Sequence, residues 1–203
     1  MPRQTRALRT AQITDAALQL LADDGPRGLT AGRLAAAVGV SDTLLFRYFG
    51  TMEGLLDAAI TRFEDELDGD LPLDRPPGSE ALRTFFIARL ERVRRRPHLM
   101  QLAYGDRLGD AAGAQVTERV RASVRRSLVF IRGCLAASQA AGQLPAVAPL
   151  DVALWAVTGV MRGAARAVSA AADVGAPIPP AHTVWAGLAA LLRLDPAAPA
   201  GHR

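Results

Sequence analysis

Apolar residues recur at helical spacing along almost the whole chain, and no segment carries a strand-pair or hairpin signal. Ile13, Ala16, Ala17, Leu20 and Leu21 fall at i, i+3, i+4, i+7 and i+8, which is one apolar stripe on a helix. The composition favours the same answer, because 40 Ala and 27 Leu among 203 residues make a strongly helix-forming mixture. Half of the chain is hydrophobic, enough to build a core and to exclude wholesale disorder. Charges interrupt every apolar run well before the roughly 18 residues that a membrane span needs. No repeat of fixed period is present, so the expectation is an all-α globular fold of about nine helices.

Gly and Pro punctuate the helices legibly. Gly25 and Pro26 end the first. A short second helix spans about Thr30–Val38, with Thr30 as its cap and Leu29 and Leu34 placed as a hydrophobic staple. A third runs over Asp42–Phe49 behind a Ser41 cap, with Leu45 and Phe49 facing inward. Gly50 closes it, and Thr51 caps a fourth that carries Leu55, Leu56, Ala59, Ile60, Phe63 and Leu67. The acidic, Pro/Gly-rich stretch Asp68–Gly78 reads as a linker or loop. Further helices are expected at about Ser79–Arg96, Pro97–Leu108, Gly113–Ala141, Leu150–Asp173 and Ala181–Leu194, and a frayed tail after Asp195. This predicts a head over residues 1–52, a connecting helix and linker over 53–78, and a helical body over 79–203.

The segment Leu34–Ser41 followed by a short helix matches a helix-turn-helix pattern. Val38 and Val40 suit the elbow, Gly39 permits a left-handed backbone, and Ser41 caps the second helix. A capped, exposed helix N-terminus favours phosphate, and in such motifs the second helix enters the DNA major groove. All 24 basic residues are Arg and the pI is near 10.4, which also suggests nucleic acid. Net charge is the lesser argument, because residues 1–52 set only six Arg against four Asp. Few phosphate contacts and weak non-specific binding follow from that balance.

The wider run resembles the N-terminal domain of the tetracycline-repressor (TetR) family of bacterial transcriptional regulators. It comprises Gln12–Leu21, Gly25, Leu29-Thr30, Leu34-Ala35, Gly39-Val40-Ser41, Leu45–Phe49 and Glu53–Leu56, within residues 9–62. The resemblance implies a homodimeric repressor that reads a palindromic operator and is released by a small molecule bound in the second domain. Carried over position by position, it puts Ser41, Asp42, Thr43, Leu44, Phe46, Arg47 and Tyr48 at DNA, and Thr30 and Arg33 at the DNA backbone. Arg47 suits bidentate pairing with guanine or a phosphate contact, and Tyr48 either packs or sets its hydroxyl on a phosphate. Arg3, Arg6 and Arg9 are expected to form a flexible basic arm. Departures from the family pattern are Phe46 where Tyr is usual, Leu44 at a place of small residues, Asp42 at the DNA-facing end, and Gly50 and Met52 in place of Lys.

In the second half, Leu154, Val157, Met161 and Val168 make a core stripe on one helix. Ala156, Gly159, Gly163, Ala167 and Ala170 make a second stripe of small residues that lets another helix approach closely. Its expected partners are a second copy or the last helix, whose Leu188 and Leu192 join the predicted dimer interface. Phe86, Met100, Tyr104, Phe130, Trp155 and Met161 are the candidate lining of a mostly apolar ligand pocket, with plain core as the other reading. The cluster Arg92, Arg94, Arg95 and Arg96 suits a helix C-terminus.

His98, His182 and His202 stand apart at no metal or triad spacing, and Cys134 lies among apolar residues. No phosphate loop or acid pair is present, so neither a cofactor nor an enzyme activity is expected. A single Cys and an N-terminal segment without an apolar run suit the cytoplasm. The other reading is an all-α dimerisation or interaction module, or a ligand-independent regulator, with weakened or lost operator binding.

Overall fold

The computed structural model describes residues 5–104, 113–174 and 179–195. Among them are nine α-helices: α1 Arg6–Asp24, α2 Ala31–Val38, α3 Asp42–Phe49, α4 Met52–Asp68, α5 Ser79–Arg95, α6 Pro97–Tyr104, α7 Ala114–Ala140, α8 Leu150–Val174 and α9 Ala181–Leu192. No strand occurs among the described residues. The expected extension of α6 to Leu108 lies outside them. A single 3₁₀ turn, Pro26–Gly28, fills the gap that Gly25 and Pro26 open after α1.

Contacts divide the chain into two units. One comprises the described residues of Met1–Glu66 and His98–Ser123, the other those of Leu67–Pro97 and Val124–Arg203. By contact, therefore, α6 and the start of α7 go with the N-terminal helices instead of with the body expected over 79–203.

In the first unit α1 begins at the Thr5 cap, whose hydroxyl oxygen accepts from the Leu8 N–H at 3.3 Å. Its inner stripe buries Ile13, Ala17, Leu18 and Leu21 completely, and α4 supplies Ala59, Ile60 and Phe63. The Thr51 cap of α4 forms as its sequence dictates, accepting from the Gly54 N–H at 3.0 Å. Arg62 on α4 donates to Asp15 on α1 at 2.6 Å.

The second unit is built around α5, which packs against α8 and α9. Its core holds Phe85, Phe86, Leu90, Ile131, Leu135, Val157, Met161 and Leu188. The acidic segment between α4 and α5 is a loop, as its composition predicts, and within it Asp70 is buried. The reason is Arg89, only 1% exposed on α5, whose Nε donates to Asp70 Oδ2 at 2.7 Å. Its Nη2 donates to the Leu67 carbonyl at 2.7 Å and to Ser127 Oγ at 3.3 Å, and its guanidinium lies 4.8 Å from the Phe85 ring centroid. Arg92 adds Nη2 to Asp70 Oδ1 at 2.8 Å. Burial pushes the Asp70 carboxyl up, and the charge and hydrogen bond of Arg89 pull against that shift. Arg94 donates to the Pro179 carbonyl at 2.8 Å. Two members of the Arg cluster thus serve internal contacts.

Candidate functional site

The α2–α3 turn is closed by two backbone bonds. The Val40 N–H donates to the Ala35 carbonyl at 3.0 Å and the Gly39 N–H to that of Ala36 at 3.4 Å. This 6→1 and 5→2 pair is a Schellman closure, and it requires the left-handed Gly39, at φ 66° and ψ 44°. Immediately afterwards Ser41 Oγ accepts from the Leu44 N–H at 3.3 Å. Thr30 caps α2 in the same way, accepting from the Arg33 N–H at 3.4 Å. Stop, turn and start therefore fall within four residues, and the direction of α3 is set by backbone geometry.

On α3, Leu45 is buried, while Leu44, Tyr48 and Phe49 are half-buried. The opposite face presents Asp42, Thr43, Phe46 and Arg47, with Phe46 at 41% exposure. No carboxylate among the described residues pairs with Arg47. Asp42 sits in the first turn, where its charge complements the helix dipole. Gly50 closes α3 at φ 75° and ψ −58°, with the Thr51 N–H donating to the Phe49 carbonyl at 2.9 Å. That is a γ-turn of the strained hand, in which a side chain is disfavoured.

Three expected DNA residues are in other company than the sequence suggested. Arg33 Nη2 donates to Asp24 at 2.5 Å and its Nη1 to the Gly28 carbonyl at 3.2 Å, so its guanidinium is engaged within the unit. Arg6 and Arg9 lie in the first turns of α1, so the expected flexible arm is helical from residue 6; Arg3 lies outside the described residues. Arg6 stacks on Tyr48, its guanidinium carbon 5.5 Å from the ring centroid. Sequence spacing carries no sign of that contact, because it joins the first turn of α1 to the last turn of α3.

Of the six ligand candidates, Met100 and Tyr104 belong to the first unit and Phe86, Phe130, Trp155 and Met161 to the second, where Phe86 and Met161 share one core cluster and Phe130 packs against it. Phe86 and Met161 are packed in the core, with Phe86 5.3 Å from Trp185, and the half-buried Phe130 lies 5.3 Å from Phe85. Trp155, at 70% exposure, stands on the outer face of α8. Helical phase explains this, because Leu154, Val157 and Met161 take the core side. An open cavity of about 480 Å³ lies between residues 74–81 and the end of α7, and none of the six lines it.

The small-residue stripe of α8 lies mostly at the surface of the chain. Gly159, Gly163 and Ala167 are exposed and Ala156 is half-buried. On α9, Leu188 is 3% exposed in the core and Leu192 packs against that core. The residues α9 leaves outside are His182, Thr183, Ala186, Gly187, Ala190 and Leu191, the last 84% exposed.

Cys134 is buried, and burial pushes its thiol up, toward the inert protonated form. Among the described residues no group of three or more His, Cys, Asp or Glu is placed to hold a metal ion. No helix among them is long and apolar enough to cross a membrane.

The sequence profile of bacterial regulatory proteins of the tetR family matches residues 13–59, which contain α2, α3 and the turn between them. The nucleoid occlusion factor SlmA of Pectobacterium carotovorum is 31% identical over 135 residues, covering 61% of this chain and 68% of that protein. Two solved structures share the fold. The ketosteroid transcriptional regulator KstR2 of Mycobacterium tuberculosis superposes with a TM-score of 0.71 at 18% identity, covering 91% of this chain and 93% of its own. AibR, solved in complex with isovaleryl coenzyme A and operator DNA, gives 0.70 at 15% identity, covering 92% and 99%. The capped turn, the matched profile and a relative aligned over two thirds of its length agree: the chain belongs to the TetR family and is a DNA-binding transcriptional regulator.

Proposed function

We propose that this regulator is a homodimeric repressor that reads a palindromic operator through α3 and is released by a small, mostly apolar ligand. The observation that carries the reading is the outer face of α3. It holds a cation, Arg47, with no carboxylate partner among the described residues, next to Thr43 and Phe46, behind a turn that allows little freedom of direction. Arg47 has the reach and donor geometry for guanine O6 and N7, while Leu44 and Phe46 suit thymine methyl groups. Ser41 and Thr30 leave N–H groups of their helix starts toward phosphate, and Asp42 limits how much phosphate that end attracts. Arg33 contributes only by exchanging Asp24 for a phosphate.

Dimerisation is assigned to the outer faces of α8 and α9. Trp155, Gly159, Gly163 and Leu191 form an apolar, closely approachable surface on them, and two-fold dimers bring two recognition helices to successive major grooves. A ligand-responsive body is supported by AibR, whose structure holds an acyl coenzyme A together with operator DNA. In this chain Phe86, Phe130 and Met161 offer apolar lining for such a ligand, without the tryptophan that the sequence pointed to. A regulator of this kind acts by binding in the cytoplasm and needs no catalytic group.

The test is a gel shift with the DNA upstream of the protein's own gene. A folded dimer that produces no shift at low salt overturns the repressor reading. Arg47→Ala should relax base preference by about 1–3 kcal/mol at one position of each half-site, read by mutating the DNA.

A further inference from the structure

We infer that Arg6 is a fixed phosphate ligand of this protein and that the Tyr48 ring, not its hydroxyl, holds Arg6 in place. The inference rests on the DNA-binding reading and assigns two residues within it.

Arg6 is exposed in the first turn of α1, its backbone set by the Thr5 cap. No carboxylate among the described residues pairs with it. Its guanidinium instead lies 5.5 Å from the centroid of Tyr48, within cation–π range. Tyr48 is half-buried and its ring lies 6.2 Å from that of Phe49, so the platform under the guanidinium is itself packed. A cation–π contact uses the ring face and leaves the N–H donors at the guanidinium edge open. Tyr48 follows Arg47 directly on α3, so one helix presents both the unpaired Arg47 and the platform for Arg6. An arginine on a loose arm must be ordered when it binds. One already stacked beside the recognition helix is ordered beforehand, and its charge stands where phosphates flank the groove that α3 enters. In this arrangement the hydroxyl of Tyr48 is dispensable and its ring is not. This reverses the roles expected for a tyrosine that touches phosphate by itself.

Fluorescence anisotropy of the full chain on an arbitrary-sequence duplex of roughly three helical turns, titrated with salt, tests it. Arg6→Ala should lower the slope of log K against log salt by about one. Tyr48→Phe should keep the wild-type slope and affinity. Tyr48→Leu should weaken binding by about 2–5-fold, the size of an exposed cation–π contact, and should cost nothing further in the Arg6→Ala background. Circular dichroism melting of each variant accompanies the titrations, and Arg6→Ala, which alters an exposed side chain, keeps the test open should Tyr48→Leu unfold.

An unchanged slope for Arg6→Ala overturns the inference. So does a loss in Tyr48→Phe equal to that in Tyr48→Leu, which would assign the contact to the hydroxyl. Both of these results leave the DNA-binding reading standing. Absence of binding by the wild-type protein at low salt would remove both.

Discussion

Two glycines beside the recognition helix serve different ends. Gly39 is required by its left-handed backbone, with open space around it. Gly54, in α4, is required by space: a Cβ there would stand 2.4 Å from the Phe49 carbonyl oxygen, a backbone atom that cannot rotate away. Gly54→Ala should therefore destabilise the protein by about 1–3 kcal/mol in urea unfolding and disturb the end of α3. Gly133→Ala is the control, since its Cβ would meet nothing within 4 Å in the middle of α7. It should stabilise by up to about 1 kcal/mol through helix propensity, and a loss there would refute the packing account. At this scale the sequence spoke clearly where backbone chemistry is local. Gly39, Ser41, Thr30 and Thr51 each do what their neighbours demand. It was silent on Arg33 and Arg6, whose partners Asp24 and Tyr48 come from folding the chain back on itself.

Among the helices, α9 ends as α2 does, with Leu194 donating to the Ala189 carbonyl at 2.8 Å and Arg193 to that of Ala190 at 3.1 Å. Here the left-handed position, φ 53°, is taken by Arg193 instead of Gly. An L side chain in that conformation costs roughly 1–2 kcal/mol, so Arg193→Gly should raise the melting temperature although it deletes side-chain atoms. A fall would mean that the Arg193 side chain holds more than its own strain.

Helix α5 carries the opposite case, a buried charge that stabilises only as part of a set. Arg89→Met leaves Asp70 buried with one fewer cation and should cost about 3–5 kcal/mol at neutral pH. The sign with pH follows from Asp70. Burial raises its carboxyl in the fold and Arg89 opposes that, so the variant raises it further. A carboxyl raised in the fold holds its proton while the unfolded chain loses its own above about pH 4, so stability falls as pH rises. The deficit of Arg89→Met should shrink toward pH 4 and be full at pH 7 in urea titrations. A deficit independent of pH would remove Asp70 from the account. The linker composition of residues 68–78 concealed all of this, because a local pattern cannot show that a distant arginine will enter the core beside it.

For the whole molecule the dimer is the decisive question. Trp155 and Leu191 are large, apolar and exposed, and they share the outer side of their helices with Gly159 and Gly163. Trp155→Glu or Leu191→Arg should yield monomers by light scattering. Operator binding should then weaken by far more than any single contact on α3 explains, because two half-sites are no longer joined. A dimer that survives both substitutions moves the interface elsewhere.

The sequence by itself determined the helices, their caps and the turn before α3, since these depend on neighbours within about four residues. It also determined the family, because the helix-turn-helix is written in that local chemistry. Tertiary structure alone decided which side each later helix turns inward. It set Trp155 and Leu191 outside and buried Leu188 and Asp70, and it brought Arg6 onto Tyr48. Helical spacing defines a stripe, but only the packed partner decides whether that stripe faces core, solvent or a second chain.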